Sequence, residues 1–293
     1  LELPVALEWV TLPHLSYKLT FSQYEWLRQL SQDSNNTVIG LARSVDKVQV
    51  KLEGDSIKNV HLVKGDMSDS NSMDQAAVEV SKITSGVDYL IVNGAYNPLE
   101  TRRFNPSEYT GRAPELREEM VESLNVNLLG VVYSINSFLS LIRKGSEKKI
   151  TVISTGMADA EQVVEKEIPG SLVYASMKAA TNMVVAKYAV ELKKEGIVVL
   201  ALSPGVINTH EGPGKYINRD IWNHHGESNM SIVSDVDMQA IMVMMQKFQA
   251  ALPHWTGPAT AAQSVSAQRK VIESITLEQT GQFLSHKGNK EWL

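Results

Sequence analysis

The chain has 293 residues, 43% of them hydrophobic and 21% charged, the balance of a globular protein that can bury a sizeable core. A net charge of −5, with no cluster of Lys and Arg to offset it, argues against nucleic acid as a partner. There is no cysteine, which excludes disulfides, thiolate catalysis and Cys-ligated zinc.

Residues 1–10 lack a basic stretch and a small-residue cleavage site, so they do not read as a signal peptide. No unbroken apolar run reaches the roughly 18 residues of a membrane span. The expectation is a soluble, cytoplasmic protein. Residues 1–19 hold two candidate strands, Val5–Val10 and 16–19, separated by Pro13 where the pattern has room for one. A helix over 23–30 follows. Further strands are expected at Thr37–Ala42, 59–63, 89–93, 149–154, 197–203 and 282–285. Helical patterns lie between them at 74–84, 114–143, 172–194, 235–251 and 259–275. Short, β-branched strands alternating with longer helices predict a parallel sheet covered on both faces. That is an α/β, Rossmann-like, doubly wound fold in a single domain.

Several runs along this pattern carry chemistry. Tyr174 and Lys178, in Leu-Val-Tyr-Ala-Ser-Met-Lys, stand one helical turn apart on one face. An ammonium there can lower a phenol's pKa and prepare it to exchange a proton with a substrate oxygen. Alone, such a pair is weak, since most pairs at this spacing are inert surface pairs. Val92-Asn93-Gly94-Ala95 ends a strand, and its bland reading is an ordinary turn. Asp66, in Lys-Gly-Asp-Met-Ser-Asp, could equally cap a helix. Asn127, with neighbouring Asn125 the alternative, sits in a long helical pattern with Gly130 three residues on, and its bland reading is an Asn bonded to its own turn. Ile153-Ser154-Thr155-Gly156 ends another strand, and Ser203-Pro204-Gly205-Val206-Ile207-Asn208-Thr209 ends a third.

In this order the runs resemble the short-chain dehydrogenase/reductase family, from about Gln23 to the end of the chain. The resemblance implies an oxidoreductase moving hydride between NADP(H) and a carbonyl or secondary alcohol. It makes Tyr174 the general acid or base, with Lys178 lowering its pKa and contacting the nicotinamide ribose. Register favours Thr155 as the hydroxyl on the substrate oxygen, with Ser154 the alternative. Asn127 bends its helix and anchors a water chain to Lys178. Asn93, Gly94 and Ala95 let the backbone approach the cofactor ribose, and Asp66 faces the adenine. Pro204, Gly205 and Val206 line the nicotinamide and send Thr209 to its carboxamide. Arg43, at a strand end where an acidic residue would select NAD, accommodates the 2′-phosphate of NADP, with NAD the alternative and a solvated Arg the bland reading.

Two departures stand out. The run Asp-Ala-Glu-Gln-Val-Val-Glu-Lys-Glu-Ile lengthens the Thr155–Tyr174 interval and is expected at the rim of the substrate pocket. The family's Thr-Gly-x-x-x-Gly-x-Gly loop is missing, and no glycine precedes Gly40. Counting back from Thr37 places that loop near 19–26, where Phe21, Tyr24 and Trp26 would hold the backbone from a diphosphate and Glu25 would repel it. Residues 1–22 are therefore read as an atypical N-terminal segment and 23–293 as the dehydrogenase domain. Three explanations stay open: a recombined N-terminus on a sound enzyme, a relative that has become a catalytically silent binding or regulatory protein, or a segment that still admits cofactor. A substrate lid is expected over 206–234, with Tyr216, Trp222, His224 and His225 and with Gly212 and Gly214 as hinges. Adjacent histidines rarely converge on one ion, so no metal is expected. The Met-rich stretch 238–245 reads as helix core. The resemblance permits a homodimer or homotetramer through 114–143 and 172–194; neither nucleic acid nor membrane is an expected partner.

Overall fold

In this computed structural model the described residues are 5–10, 21–98, 100–102, 104–208, 243, 245–250 and 252–293, with main chain alone for 5–10 and 21. The strands are β1 (Val5–Val10), β2 (Thr37–Ala42), β3 (Val60–Lys64), β4 (Tyr89–Val92), β5 (Lys149–Ile153), β6 (Val198–Ser203) and β7 (Phe283–Ser285). They form one seven-stranded sheet in the order β3-β2-β1-β4-β5-β6-β7, every pair parallel. The chain winds outward through β2 and β3, then returns to the other side of β1 with β4. This reversal opens a crevice beyond the carboxyl ends of β1 and β4, where open α/β sheets bind ligands.

Side chains alternate across the sheet, and each face has its own core. Ile150 and Val152 of β5 join Val131, Ile135 and Phe138 of α5 (Gly130–Ile142) and Val185 and Leu192 of α7 (Leu172–Leu192). On the same face α3 (Ser70–Ile83), capped by Asp69, adds Met73, Ala76 and Val80. Ile153, Leu200 and Leu202 face the other way. They meet Leu27 of α1 (Phe21–Leu30), Val48 and Leu52 of α2 (Val45–Gly54), and Val265 and Ile272 of α8 (Ala261–Ser274).

Of the two strands competing within residues 1–19, Val5–Val10 enters the sheet, in register from Val5↔Thr37 to Val10↔Ala42. Residues 16–19 lie outside the described residues. Helix α2 has no counterpart in the sequence reading, because Val48, Val50 and Leu52 alternate as a strand would. Burial selects the helical pair Val48 and Leu52, and leaves Val50 70% exposed. Helix α4 (Ala113–Ser123), a π-helical stretch Leu124–Leu129 and α5 form one 30-residue helical run. By length and composition this run could cross a membrane, although no unbroken apolar stretch of that length exists. Here α5 packs against α3 and the sheet as a core helix. Of the helix expected over 235–251, residues 243 and 245–250 are described and are helical.

The far end of the fold depends on one buried cation. Lys149 Nζ donates to the carbonyls of Ile272 (3.2 Å) and Glu273 (2.7 Å), which close the C-terminus of α8. A positive charge there satisfies orphan carbonyls and complements the helix dipole. Lys149→Met strands those carbonyls and is expected to cost about 2 kcal/mol. Denaturant unfolding checks this as a lower midpoint with an unchanged slope, with Lys149→Arg recovering part of the loss.

Candidate active site

Helix α7 reaches the carboxyl edge of the sheet at the end of β5, and a buried amine fastens it there. Lys178 is 2% exposed, and its Nζ donates to the Ile153 carbonyl at 2.6 Å. Burial holds its pKa down at about 8. Tyr174 lies one turn earlier, with the ammonium 6.0 Å from its ring centroid. Part of Tyr174 stays exposed, yet the protein around it pushes its phenol up to about 12. The sequence predicted the opposite shift. Desolvation overrides the expected pull of Lys178, whose proton is directed at a carbonyl rather than at the phenol oxygen.

Asn127 lies within the π-helical stretch Leu124–Leu129. Its side chain is fully buried and makes a two-way clamp on Tyr96. Oδ1 accepts from the Tyr96 amide (2.8 Å), while Nδ2 donates to the Tyr96 carbonyl (2.8 Å) and to Ser123 Oγ (2.7 Å). The Asn127 carbonyl accepts the Thr181 hydroxyl at 2.7 Å. Asn127 thus holds the turn Asn93-Gly94-Ala95 from one side. Gln23, from the first turn of α1, holds it from the other by donating to the Asn93 carbonyl at 3.0 Å. Gly130 brings α5 close to the β3–α3 turn, where a Cβ would lie 2.9 Å from Met67. Beside Met67, Asp66 Oδ1 accepts from the amide and hydroxyl of Ser68, and Oδ2 lies 4.0 Å from Arg43 Nη1.

The two hydroxyls after β5 differ in use. Ser154 is 1% exposed and donates to Asn182 Oδ1 at 2.7 Å. Thr155 is half-buried, and its hydroxyl oxygen accepts only a long bond of 3.3 Å from the Met157 amide. The lengthened interval folds into α6 (Ala160–Glu165), capped by Asp159. Beyond it Ile168 packs with Phe248 and Leu293, against which Met157, Val206 and Trp255 rest. At the end of β6 Pro204 accepts the Ser264 hydroxyl (2.7 Å), itself bonded by Gln268 (2.9 Å). Gly205 has φ +77°, and a Cβ there would lie 2.6 Å from the His286 ring. Thr209 and the lid residues from 209 onward lie outside the described residues.

The N-terminal reading needs correction. Residues 21–26 are the first turns of α1 rather than a loop. Tyr24 and Trp26 are buried, and the Tyr24 hydroxyl donates to Asp55 Oδ2 (2.5 Å). Glu25 is bound by Arg28 and Gln29. These side chains belong to the core and the helix surface. The segment joining β1 to α1 is 11–20, outside the described residues.

The donors on the carboxyl edge fit a nicotinamide ribose. A buried ammonium, a phenol and a half-buried hydroxyl meet two turns, Asn93-Gly94-Ala95 and Pro204-Gly205, whose small residues permit close approach. Sequence reasoning missed Gln23, Asn182, Ser264, Gln268 and His286. Only Asn182 had a signal, since it continues the spacing of Tyr174 and Lys178. A cleft of about 570 Å³ at the opposite edge, lined by Arg28, Asp55 and Lys58 among others, carries none of this chemistry.

Comparison with known proteins agrees with this geometry. The family model described as short chain dehydrogenase matches residues 25–215. The chain is 35% identical over 271 residues to the short-chain dehydrogenase/reductase atnB of Arthrinium sp, covering 92% of this chain and 95% of that protein. It is also 35% identical over 280 residues to the short chain dehydrogenase virK of Hypocrea virens, with 92% and 95% covered. Its fold resembles an NADPH-bound carbonyl reductase from chicken fatty liver (TM-score 0.68, 19% identity, 98% of each chain). It also resembles a 3-oxoacyl-[acyl-carrier protein] reductase from Brucella melitensis in complex with NAD (TM-score 0.66, 17% identity, 98% and 96%).

The buried ammonium has a thermodynamic signature. Above pH 8 the folded chain gives up the Lys178 proton, whereas the unfolded chain keeps it until pH 10.5. The unfolded state then binds more protons, so wild-type stability gains from this group across that window. Lys178→Met is therefore expected to be more stable than wild type at pH 7, by about 3 kcal/mol. That advantage should shrink between pH 8 and 10.5 in paired denaturant melts.

Proposed function

The chain belongs to the short-chain dehydrogenase/reductase family, and we propose that it moves hydride between NADP(H) and a carbonyl or secondary alcohol. The observation that carries this reading is the Lys178–Ile153 bond, which seats Tyr174 beside the strand end bearing Thr155. When bound, the cofactor supplies or takes the hydride. Tyr174 gives its proton to the substrate oxygen. Held at about 12, the phenol stays protonated at neutral pH, the form that can give a proton to a carbonyl oxygen. Thr155 donates to the same oxygen and polarises it. Lys178, charged below about pH 8, offers its ammonium to the ribose and places positive charge near the forming alkoxide. Asn127 acts by holding the Asn93-Gly94-Ala95 turn. The apolar residues Met157, Val206 and Trp255 favour a partly apolar substrate.

Arg43 supports NADP over NAD, because its contact with Asp66 is long and its guanidinium can still meet a phosphate. The chicken carbonyl reductase with bound NADPH is consistent with that preference. Met183 and Val190, 60% and 80% exposed along the outer face of α7, would suit a second copy of the chain. One observation favours a second reading, a silent binding protein on the same fold: no glycine precedes Gly40 to cradle a diphosphate.

Titration with NADPH, followed by nicotinamide fluorescence, separates the two. The enzyme reading expects a Kd of about micromolar order. It also expects Tyr174→Phe to lose about 10³-fold in kcat, while its NADPH affinity stays that of wild type. Folded protein that binds no NADPH at about millimolar concentration overturns the enzyme reading.

A further inference from the structure

We propose that Asn182 is a positioning residue of this site: by accepting the Ser154 hydroxyl, it fixes the end of β5 on which both Lys178 and Thr155 depend. Its kinetic consequence rests on the hydride-transfer reading above; the contact does not.

Tyr174, Lys178 and Asn182 recur every four residues and share one stripe of α7. Successive turns of that stripe grip successive residues of the strand end. Lys178 donates to the Ile153 carbonyl at 2.6 Å, and Asn182 accepts from Ser154 Oγ at 2.7 Å. On the neighbouring stripe Thr181 donates to the Asn127 carbonyl at 2.7 Å, so α7 is anchored to β5 and to the π-helical stretch at one level.

The chemistry of the hydroxyl decides what Ser154 does. A serine has one O–H, and here it points at Asn182, so it cannot also donate to a substrate oxygen. Ser154 is buried, and its amide donates to the Leu202 carbonyl of β6 at 2.8 Å. The Ile153 carbonyl shares a peptide plane with that amide. Holding Ser154 from both amide and hydroxyl therefore sets the direction of the carbonyl that receives Lys178. It also sets the start of the next residue, Thr155. Losing the Asn182 acceptor frees the hydroxyl and lets that plane rotate, which moves the ammonium and the substrate hydroxyl together. Tyr174 is the titratable neighbour of Lys178. Burial accounts for the ammonium's low pKa, with no charged partner contributing among the described residues.

The test is a cycle of Ser154→Ala, Asn182→Ala and the double variant, each shown folded by denaturant unfolding. With NADPH and a carbonyl that the wild type reduces, each single variant should lower kcat about tenfold. The double variant should fall no further than the worse single, and KM for NADPH should hold. Asn182→Asp, which keeps an acceptor for the hydroxyl, should recover most of the loss. A second readout needs no turnover: the titration of Lys178 followed by NMR of its ¹³Cε. Both single variants should move its midpoint down by the same amount, because a firmly held carbonyl favours the ammonium. The double variant should move it no further. Losses in kcat that multiply, or a kcat that stays at the wild-type level while stability falls, would overturn the positioning role. If the wild type reduces no carbonyl, the hydride reading fails separately. The Lys178 midpoint then decides, and an unmoved midpoint in both single variants sinks this inference.

Discussion

Everything distinctive about the site follows from one ammonium placed against one carbonyl at the end of a parallel strand. Lys178 is buried where a charge is costly, and the 2.6 Å bond to Ile153 is the compensation that keeps it there. Because that carbonyl ends β5, the bond is also a coordinate: it fixes how far α7 extends past the sheet. Among the described residues, Tyr174 has no comparable restraint from a charged neighbour. It is placed by the helix, and the helix is placed by Lys178.

The surrounding elements make the same arrangement from other directions. Every residue of β5 and β6 is buried, so neither strand can slide without exposing apolar surface. Asn127 and Gln23 clamp the turn after β4 from two helices, and Ser264 with Gln268 does so for the turn after β6. The working edge is thus built from strand ends whose peptide groups are each tied to a helix. That is how a site made of turns acquires the rigidity of a core.

What the sequence revealed was what short spacing can carry. Tyr174 and Lys178 meet because one turn of helix brings them together, and the runs after β4, β5 and β6 sit at a sheet edge because strands end there. Long-range outcomes were not legible. The phenol's upward shift depends on how much protein closes around it, which no local spacing records. The different hydrogen bonding of Ser154 and Thr155 was not legible either, because the acceptor of the Ser154 hydroxyl is Asn182, distant in sequence. Helix α2 hid behind alternating valines, since a strand and a helix both tolerate that pattern and packing alone chose. The first strand was ambiguous for the same reason: two apolar runs competed, and only pairing with β2 and β4 selected Val5–Val10.

The position of that strand changes how the missing glycines should be weighed. A strand at the centre of the sheet, flanked by β2 and β4, leaves its last residue beside the crevice where the winding reverses. Tyr24 and Trp26, which seemed to block a diphosphate, are core residues of α1, so these two supply no steric argument against cofactor. What remains is conformational. A tight turn that presents several amides to one anion needs backbone angles that only glycine adopts at little cost, and residues 11–20 contain none. The carboxyl ends of β4, β5 and β6 carry the polar groups that the proposed ribose and nicotinamide contacts need, while the segment 11–20 offers a diphosphate no glycine. On the hydride-transfer reading proposed above, affinity for the dinucleotide is then a property of the segment after β1 and chemistry a property of α7, two parts of the fold joined through the sheet.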